Sequence, residues 1–444
     1  MSPSATPGLE PLVGVVTTDL AAITRGRFVA AKNLERISRH GIGWLQANIC
    51  LTPFNSIAHP NPWGARGDLR VLPDLKARYR TEHTGRATPF DIVFGNIVAL
   101  DGSPWTCCTR TLLRDALTRL RTEHGINLLA SFEQEFQLFG AALPPSHALS
   151  FAALRSADEY ASRLMLALED AGVDPEVVIS EFGADQFEVT CGPSDGITAS
   201  DRCVVIREVA REIARKNGWH ASFAPKTSPD GVGNGVHLHF SFRDINGKPL
   251  TYSPDGPGGL SPQAAAFCAG IIKHLPGITA LTAPSLPSYY RLKPHAWSAS
   301  YTWLAQQHRE ATLRICPVVT IGGADPAPQF NVEYRAADAT ANPYLVMTAV
   351  VLAGLEGLQA KLPCPALVDD DPTEMTDQRR AELGLVRLPE SLPAALKAFD
   401  ADATVQGWFD PLFIESFHGV RKAELTTLAT LSPSEVCERY RTLY

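Results

Sequence analysis

The chain has 444 residues, 45% of them hydrophobic and 20% charged, and its formal net charge at pH 7 is −7. This length allows a large core or two domains. Charges of both signs are scattered along the chain, which argues against a nucleic-acid partner, since that would select a basic stripe. Nine cysteines without a C-x-x-C pair fit neither a disulfide framework nor a zinc ribbon, and they indicate a reducing cytoplasm. We expect no membrane contact, because the N-terminus has no signal-peptide pattern and no apolar run approaches the roughly 18 residues of a membrane span.

Short β-like runs fill the first hundred residues, separated by loops rich in proline, asparagine and glycine. These runs cover 12–17, 28–31, 43–50 and 91–99. After about residue 105, helical patterns interleave with strands and cover 110–124, 157–171, 200–217 (with Ser200 as the N-cap) and an apolar stretch from Pro343. The sequence therefore predicts an α+β protein with a small β-rich domain, 1–104, and a larger domain, 105–444.

The segment SFEQEFQLF, residues 131–139, places two carboxylates close together. In a β-strand, Phe132, Phe136 and Leu138 share one face, while Glu133 and Glu135 share the opposite face. Like charges at that spacing repel, and one carboxylate would be protonated unless something compensates the charge. An isolated E-x-E strand is more often a solvated face than a ligand site.

Further strand-like segments of the second domain also combine an apolar face with a face of polar or ionisable side chains. Those faces hold Glu181 and Glu188 (180–190), His237, His239 and Ser241 (236–242), Arg314 (312–315), and Asn331, Glu333 and Arg335 (330–335). An H-x-H strand alone fits zinc, iron or a hydrogen-bonded core histidine. Five glutamates and a histidine packed together, however, need cations to neutralise them. Oxygen-rich ligation with one imidazole suits two or more Mg²⁺ or Mn²⁺ ions.

Carboxylate-bound metals opposite arginines favour phosphoryl transfer from ATP, because the metals bridge phosphate oxygens and the arginines stabilise the transferred group. The sequence has no P-loop of the form G-x-x-x-x-G-K-[ST]. The glycine-rich stretch 231–235 is predicted to be a turn into the histidine strand. By itself it is too weak a signal for a nucleotide site.

These segments together resemble the glutamine synthetases and their γ-glutamyl-amine ligase relatives over most of the chain. SFEQEFQLF resembles the family's first metal-binding strand, GNGVHLHFS its G-x-G-x-H-x-H-x-S segment, and FNVEYRAADATANPYL its E-x-R-x-x-D-x-x-x-N-P-Y-L signature. RLKP and HREATLRICP are similar to its flap and phosphate-arginine segments, ITRGRFVA to its β-grasp entry, and GDLRVLPD to its D-x-x-x-x-P-D run. The resemblance implies an N-terminal β-grasp domain followed by a catalytic α+β domain with a curved antiparallel sheet.

The resemblance also implies a role for each site residue. One metal would be held by Glu135, Glu181 and Glu188, and the other by Glu133, His237 and Glu333. The amino-acid substrate would be bound by Arg291, Arg335 and Gly233. The transferring phosphoryl group of ATP would face Arg309 and Arg314, and the adenosine would lie against His239 and Ser241. In the implied reaction ATP phosphorylates the γ-carboxylate of glutamate, and an amine then displaces phosphate from the acyl-phosphate. Family members form ring-shaped homo-oligomers in which each N-terminal domain completes a neighbour's active site, so we expect the same here.

Two carboxylates of the family's ammonium site are missing here. Residues 292–308, which follow the flap arginine, contain no Asp or Glu, and Trp297 stands at the aligned position. Residues 50–67 contain none either, so Asp68 is the first candidate for a base that accepts the amine proton. A tryptophan face suits an apolar amine, and Trp297 is therefore a candidate amine-binding residue.

Three hypotheses of different kinds remain open. The favoured one is a γ-glutamyl ligase for an organic amine. The second is an ammonia-using glutamine synthetase with an unusual amine pocket. The third is a non-catalytic oligomeric member of the family, against which the presence of all six candidate metal ligands and four arginines counts.

Overall fold

The computed structural model describes residues 8–444, and the strands before residue 99 form one sheet. Its five strands are β1 (Leu12–Thr18), β2 (Thr24–Ala30), β3 (Ile42–Leu45), β4 (Asp68–Thr81) and β5 (Phe90–Val98), in the order β2-β1-β5-β4-β3. Strands β1 and β5 run parallel, and the other neighbours run antiparallel. Helix α1 (Leu34–His40) lies between β2 and β3 in the chain.

In this part of the chain one expected strand is wrong in extent, and one observed strand was not expected. The predicted strand 43–50 ends at Leu45, and a 3₁₀ turn, Gln46–Cys50, follows it. The 14-residue strand β4 was not predicted, because Pro73 and a run of polar residues interrupt its alternation. The structure accommodates them with a register shift between Pro73 and Arg78. The division into 1–104 and 105–444 remains a prediction.

The second sheet has nine strands and is centred on a long strand, β6 (Asn127–Phe139). The others are β7 (Pro175–Ser180), β8 (Gln186–Cys191), β9 (Ser194–Asp195), β10 (His220–Ser222), β11 (Val236–Arg243), β12 (Leu304–Gln306), β13 (Leu313–Ile315) and β14 (Val332–Tyr334). The order is β12-β13-β14-β11-β6-β8-β7, and β9 and β10 also pair with β6. All pairs are antiparallel except β12 with β13.

Helices cover the apolar face of this sheet and extend to the end of the chain. They are α2 (Thr109–His124), α3 (Phe151–Ser156), α4 (Asp158–Asp170), α5 (Gly196–Lys216), α6 (Pro262–Thr282), α7 (Leu286–Arg291), α8 (Pro343–Ala360), α9 (Asp377–Glu382), α10 (Leu392–Ala401), α11 (Ala403–Gln406), α12 (Pro411–Leu428) and α13 (Pro433–Leu443). Helix α5 begins one turn earlier than predicted. Its N-cap is Asp195, which accepts hydrogen bonds from the amides of Ile197 and Thr198, whereas Ser200 lies inside the helix.

The core contains two long apolar helices, of which only α8 was predicted. By length and composition alone, both α6 and α8 could cross a membrane, so the expectation that no apolar run approaches that length is wrong. In each helix, 83% of the most apolar window is buried inside the protein. The two helices meet at glycines: a Cβ on Gly357 would overlap the carbonyl oxygen of Ala266 and lie 2.7 Å from the nitrogen of Gly270.

Candidate active site

The ionisable side chains lie on the polar face of the second sheet, where strand pairing places them opposite one another. As predicted, Phe132 and Phe136 of β6 are buried in the core. On the opposite face, Glu135 lies beside Glu188 of β8. Directly opposed residues of an antiparallel pair lie about 4.5–5.5 Å apart between Cβ atoms. Strand pairing therefore brings these distant carboxylates together.

The same face continues across β11 and β14 toward β13. His237 lies opposite Glu133, while Glu333 lies opposite both His239 and Arg314. The His237 Nδ1 is 2.9 Å from Glu133 Oε1 and 3.4 Å from Glu333 Oε1. One row of paired strands thus joins most of the residues expected to bind metal and phosphate.

Glu133, His239 and Glu333 each offer a ligand atom, and these three atoms lie within 4.8 Å of one another. The Nδ1 of His239 is 2.9 Å from Asn331 Oδ1. Its buried Nε2 has no hydrogen-bond partner and lies 3.4 Å from Glu133 Oε2. Because this imidazole nitrogen faces two carboxylates, the donor set fits a hard divalent cation. His239, expected beside the adenosine, is thus also close enough to share a metal with two predicted ligands.

The carboxylates perturb one another strongly. Burial, together with the charges of Glu133 and Glu135, raises the pKa of Glu188 from 4.5 to about 10. Burial and then Glu135 also raise the pKa of Glu181. Burial opposes ionisation of Glu133 too, but the hydrogen bond with His237 and the nearby imidazole of His239 outweigh it and hold its pKa well below 4.5. Such a concentration of negative charge is the environment in which cations bind.

Glu333 is the most strongly paired carboxylate of the site. Although burial favours its neutral form, the charges of Arg335 and His237 lower its pKa to about 2. Arg335 forms an ion pair with its Oε1, and Arg314 Nη1 donates to its Oε2 at 2.8 Å. Glu333 is therefore ionised and joins the candidate metal cluster to two arginines.

Arg291 and Arg335 are both buried, with 3% and 4% exposure. The Nη2 of Arg291 donates to the carbonyl of Ala337 at 2.6 Å. The Nε atoms of both arginines have no hydrogen-bond partner. Unpaired buried guanidinium nitrogens are costly unless an anion binds them, so this pair suits a carboxylate ligand. Arg309, by contrast, lies exposed on the loop before β13.

The glycine-rich turn before β11 lies against this pair. A Cβ on Gly233 would lie 2.7 Å from Arg291 Cγ, and one on Gly235 would lie 2.6 Å from His237 Nε2. Glycine is therefore required at both positions by close approach rather than by backbone dihedral angles.

Gln186, which sequence reasoning did not single out, joins this turn to the Glu181 turn. Its Nε2 donates to the Gly233 carbonyl and to Asn234 Oδ1, both at 2.8 Å. Its Oε1 accepts from the amide of Gly183 at 2.8 Å. The side chain is buried and all three bonds are internal. The only hint in the sequence was its position between two predicted metal ligands.

A cavity of about 330 Å³ opens beside the polar face. Its lining includes Glu133, His239, Ser241 and Asn331. The two residues expected to contact the adenosine, His239 and Ser241, thus line a cavity that also reaches a candidate metal ligand.

The flap residue Trp297 lies at the surface, and its side chain is 70% exposed. Its φ of 53° is in the left-handed region, as is the φ of 59° at His295. Such a conformation costs about 1–3 kcal/mol at a non-glycine residue. The Trp297 carbonyl accepts from Arg335 Nη2 at 3.2 Å. The flap is thereby attached to the predicted substrate arginine.

Asp68 lies apart from these residues. It begins β4 in the first sheet, opposite Leu45, and is exposed. Within residues 8–444 no side-chain hydrogen bond or ion pair connects it to the second sheet. Its role as an amine base remains a prediction.

The chain is similar to known proteins over most of its length. The family description "Glutamine synthetase N-terminal domain" matches residues 7–105, and "Glutamine synthetase, catalytic domain" matches residues 106–440. The gamma-glutamylpolyamine synthetase GlnA3 of Streptomyces coelicolor is 33% identical, over 96% of this chain and 92% of its own length. The glutamine synthetase of Thermococcus kodakarensis is 32% identical, over 71% of this chain and 70% of its own length.

Solved structures are similar over the whole chain. A novel glutamine synthase homolog superposes with a TM-score of 0.91 at 42% identity, covering 99% of this chain and all (100%) of its own. GmaS without ligand, at 24% identity and a TM-score of 0.80, covers 98% of this chain and 97% of its own and shows likeness of fold. These matches define the class as ATP-dependent ligase. The chain belongs to the glutamine synthetase family, and the predicted α+β fold is confirmed.

Proposed function

We propose that this protein is an ATP-dependent γ-glutamyl-amine ligase that prefers an apolar primary amine to ammonia. The observation that carries the proposal is the exposed Trp297 in a flap without Asp or Glu from 292 to 308. The absence of carboxylates from residues 50–67 supports it, because that segment supplies the other ammonium-site carboxylate in the family. The similarity to a relative named gamma-glutamylpolyamine synthetase points the same way.

The acid substrate is glutamate in this proposal. Its charged end would be bound by Arg291 and Arg335, whose unpaired Nε atoms are buried, with Gly233 contributing backbone contact. An arginine pair of this kind fixes both the position and the direction of a carboxylate. The γ-carboxylate would then point toward the glutamates of the polar face.

Two groups of side chains would hold divalent metal ions: Glu135, Glu181 and Glu188, and Glu133, His237 and Glu333, with His239 near the second. Bound Mg²⁺ or Mn²⁺ supplies positive charge that offsets the negative charge of the phosphates and the carboxylate acceptor. Arg314, fixed by Glu333, and the exposed Arg309 would stabilise the phosphoryl group during its transfer. His239 and Ser241 would contact ATP in the 330 Å³ cavity.

The amine would contact the indole of Trp297. Cation–π attraction to a tryptophan face is worth roughly 0.5–2 kcal/mol for an alkylammonium, and the ring also covers apolar substituents. An indole accepts no proton, so that proton would pass to Asp68 or to solvent. A weakly basic aromatic amine, neutral at pH 7, needs no such base.

A polyamine is the second candidate, favoured by the name of the Streptomyces relative. We rank it below a small apolar amine because a long polycation needs acidic partners beyond the reacting nitrogen, and residues 292–308 contain no Asp or Glu. We further propose a cytoplasmic ring-shaped homo-oligomer in which a neighbour's N-terminal domain, including Asp68, completes each site.

The test is ADP release with glutamate and Mg²⁺, measured as kcat/KM for ammonium, methylamine, isopropylamine, aniline and putrescine. The native enzyme should prefer isopropylamine or aniline to ammonium. In Trp297→Glu, the ratio of isopropylamine to ammonium should fall by about tenfold or more. Phe151→Glu, which changes a residue of similar exposure (78%) on α3, is the control.

A native preference for ammonium contradicts the proposal. If Trp297→Glu leaves the ranking of amines unchanged, Trp297 is not part of the amine pocket.

A further inference from the structure

Glu310 brings a carboxylate to a flap that has none of its own. It follows Arg309 in the chain, but its side chain reaches back to the turn at Trp297. Its Oε2 accepts the amide of His295 at 3.0 Å, and its Oε1 accepts the amide of Trp297 at 2.9 Å. The backbone of Glu310 is itself held by the bond from its amide to His308 Nδ1, at 3.2 Å.

The turn that Glu310 binds has an unusual backbone. Both His295 and Trp297 are in the left-handed region, with φ of 59° and 53°. Backbone amides that converge in such a turn form an anion-binding concavity, and the carboxylate of Glu310 fills it. Without that anion, the two amides would lose their partner and the strained residues would be free to relax.

Two of the other attachments of this flap segment lead to the predicted substrate arginines. The Trp297 carbonyl accepts from Arg335 Nη2 at 3.2 Å. The Ser298 hydroxyl donates to the carbonyl of Arg291 at 2.7 Å. The position of the exposed indole is therefore set on one side by the acid-binding arginines and on the other by Glu310.

We propose that Glu310 is a positioning residue that holds the 295–297 turn in its left-handed form and so presents Trp297 to the amine. Glu310 thereby determines which amines the enzyme accepts, an inference that rests on the proposed function. Both of its oxygens bind the backbone of the 295–297 turn, and we therefore assign it a role that acts through Trp297.

Amide hydrogen exchange tests the attachment without any amine. In the native protein, the peptide containing His295 and Trp297 should be protected, and Glu310→Ala should increase its exchange at least about tenfold. Glu310→Gln keeps one acceptor oxygen, so its exchange rate should lie between those of the native protein and Glu310→Ala. His295→Ala is the control, because it removes side-chain contacts of the same turn, including the one to Thr373, and leaves both amide bonds to Glu310. Unchanged protection in Glu310→Ala overturns the proposed attachment.

Measurements of kcat/KM for the same five amines test whether Glu310 affects amine selectivity. Glu310→Ala should lower the isopropylamine-to-ammonium ratio of kcat/KM about tenfold, with the KM for ATP unchanged, and His295→Ala should leave the ratio as it is. In the Trp297→Ala background, Glu310→Ala should change the ratio no further, because the two residues act as one unit. Additive effects, or a ratio that Glu310→Ala does not alter, overturn the role in selectivity. A native preference for ammonium instead contradicts the proposed function, and the exchange result would still establish the attachment.

Discussion

At the scale of single residues, Glu188 shows how the fold prepares a site for positive charge. Burial and the neighbouring Glu133 and Glu135 all disfavour its ionised form, and its pKa is raised to about 10. The carboxyl group is therefore protonated at pH 7 when no cation is near. A divalent ion has to displace that proton in order to bind there.

We predict that Mg²⁺ binding at pH 7 releases close to one proton per site. The release should be measured by titration calorimetry in buffers of different ionisation enthalpy. Affinity should increase as the pH rises from 6.5 to 8.5, because deprotonation of Glu188 then costs less. Glu188→Gln should abolish the release, whereas Glu176→Gln, on the neighbouring strand β7, should retain it. Native binding without proton release would show that Glu188 is not a ligand.

The raised pKa of Glu188 also predicts how the stability of the metal-free protein depends on pH. The carboxyl of Glu188 is ionised in the unfolded chain above about pH 4.5 but stays protonated in the fold up to about pH 10. Its contribution to stability is therefore full below about pH 4.5 and is lost as the pH rises toward 10. Added Mg²⁺ should restore the lost stability. The measurement is the midpoint of thermal unfolding with and without the ion.

At the scale of structural elements, the site depends on turns that meet across the sheet. Gln186, at the start of β8, binds the Gly233 carbonyl of the turn before β11 and the Gly183 amide of the turn after β7. One turn carries the predicted metal ligand Glu181, and the other carries the predicted glutamate contact. The buried side-chain amide of Gln186 thus fixes the distance between the Glu181 turn and the Gly233 turn.

Gln186→Leu should raise the KM for glutamate about tenfold and leave the KM for ATP nearly unchanged. Removing a buried hydrogen-bond partner costs about 1–3 kcal/mol, and about 1.4 kcal/mol corresponds to tenfold. The control is Gln134→Leu on β6, which removes a buried bond to the Cys203 carbonyl on the other face of the sheet. Equal effects of the two variants on glutamate would mean that Gln186 acts only through general stability.

At the scale of the whole molecule, α6 and α8 pack against each other in the core. Their backbones are in contact at Gly270 and Gly357, with no room for a side chain between them. Overpacking at such a contact forces backbone shifts, which typically cost about 1–3 kcal/mol. The apolar character that makes both helices resemble membrane spans is explained by this burial.

Gly357→Ala should lower the free energy of unfolding by about 2–3 kcal/mol, measured by urea denaturation. Gly419→Ala in α12 is the matched control, because a Cβ there would meet its nearest neighbours at an ordinary 3.7 Å. This control should be neutral or stabilising by up to about 1 kcal/mol, since alanine favours a helix more than glycine does. A Gly357→Ala variant as stable as the native protein would contradict the close helix contact.

The sequence by itself determined which side chains share a face. Alternation along β6, β8, β11 and β14 is a local property, because successive residues of a strand point to opposite sides. The match of several segments to one family also determined the α+β class. The strand 43–50 and the N-cap at Ser200 were wrong for local reasons, since a competing turn at Gln46 and a better cap at Asp195 were available.

The tertiary structure alone decided which distant groups meet. Gln186 reaches Gly233 across 47 positions in the chain, and Glu310 reaches Trp297 across 13. Neither contact follows from periodicity, because each depends on the path of a turn and on strand register. Residues 292–308 contain no carboxylate, but the carboxylate of Glu310, just outside that range, holds the flap. Side-chain direction is set by neighbouring residues, whereas the partners of a side chain are set by the packing of the whole chain.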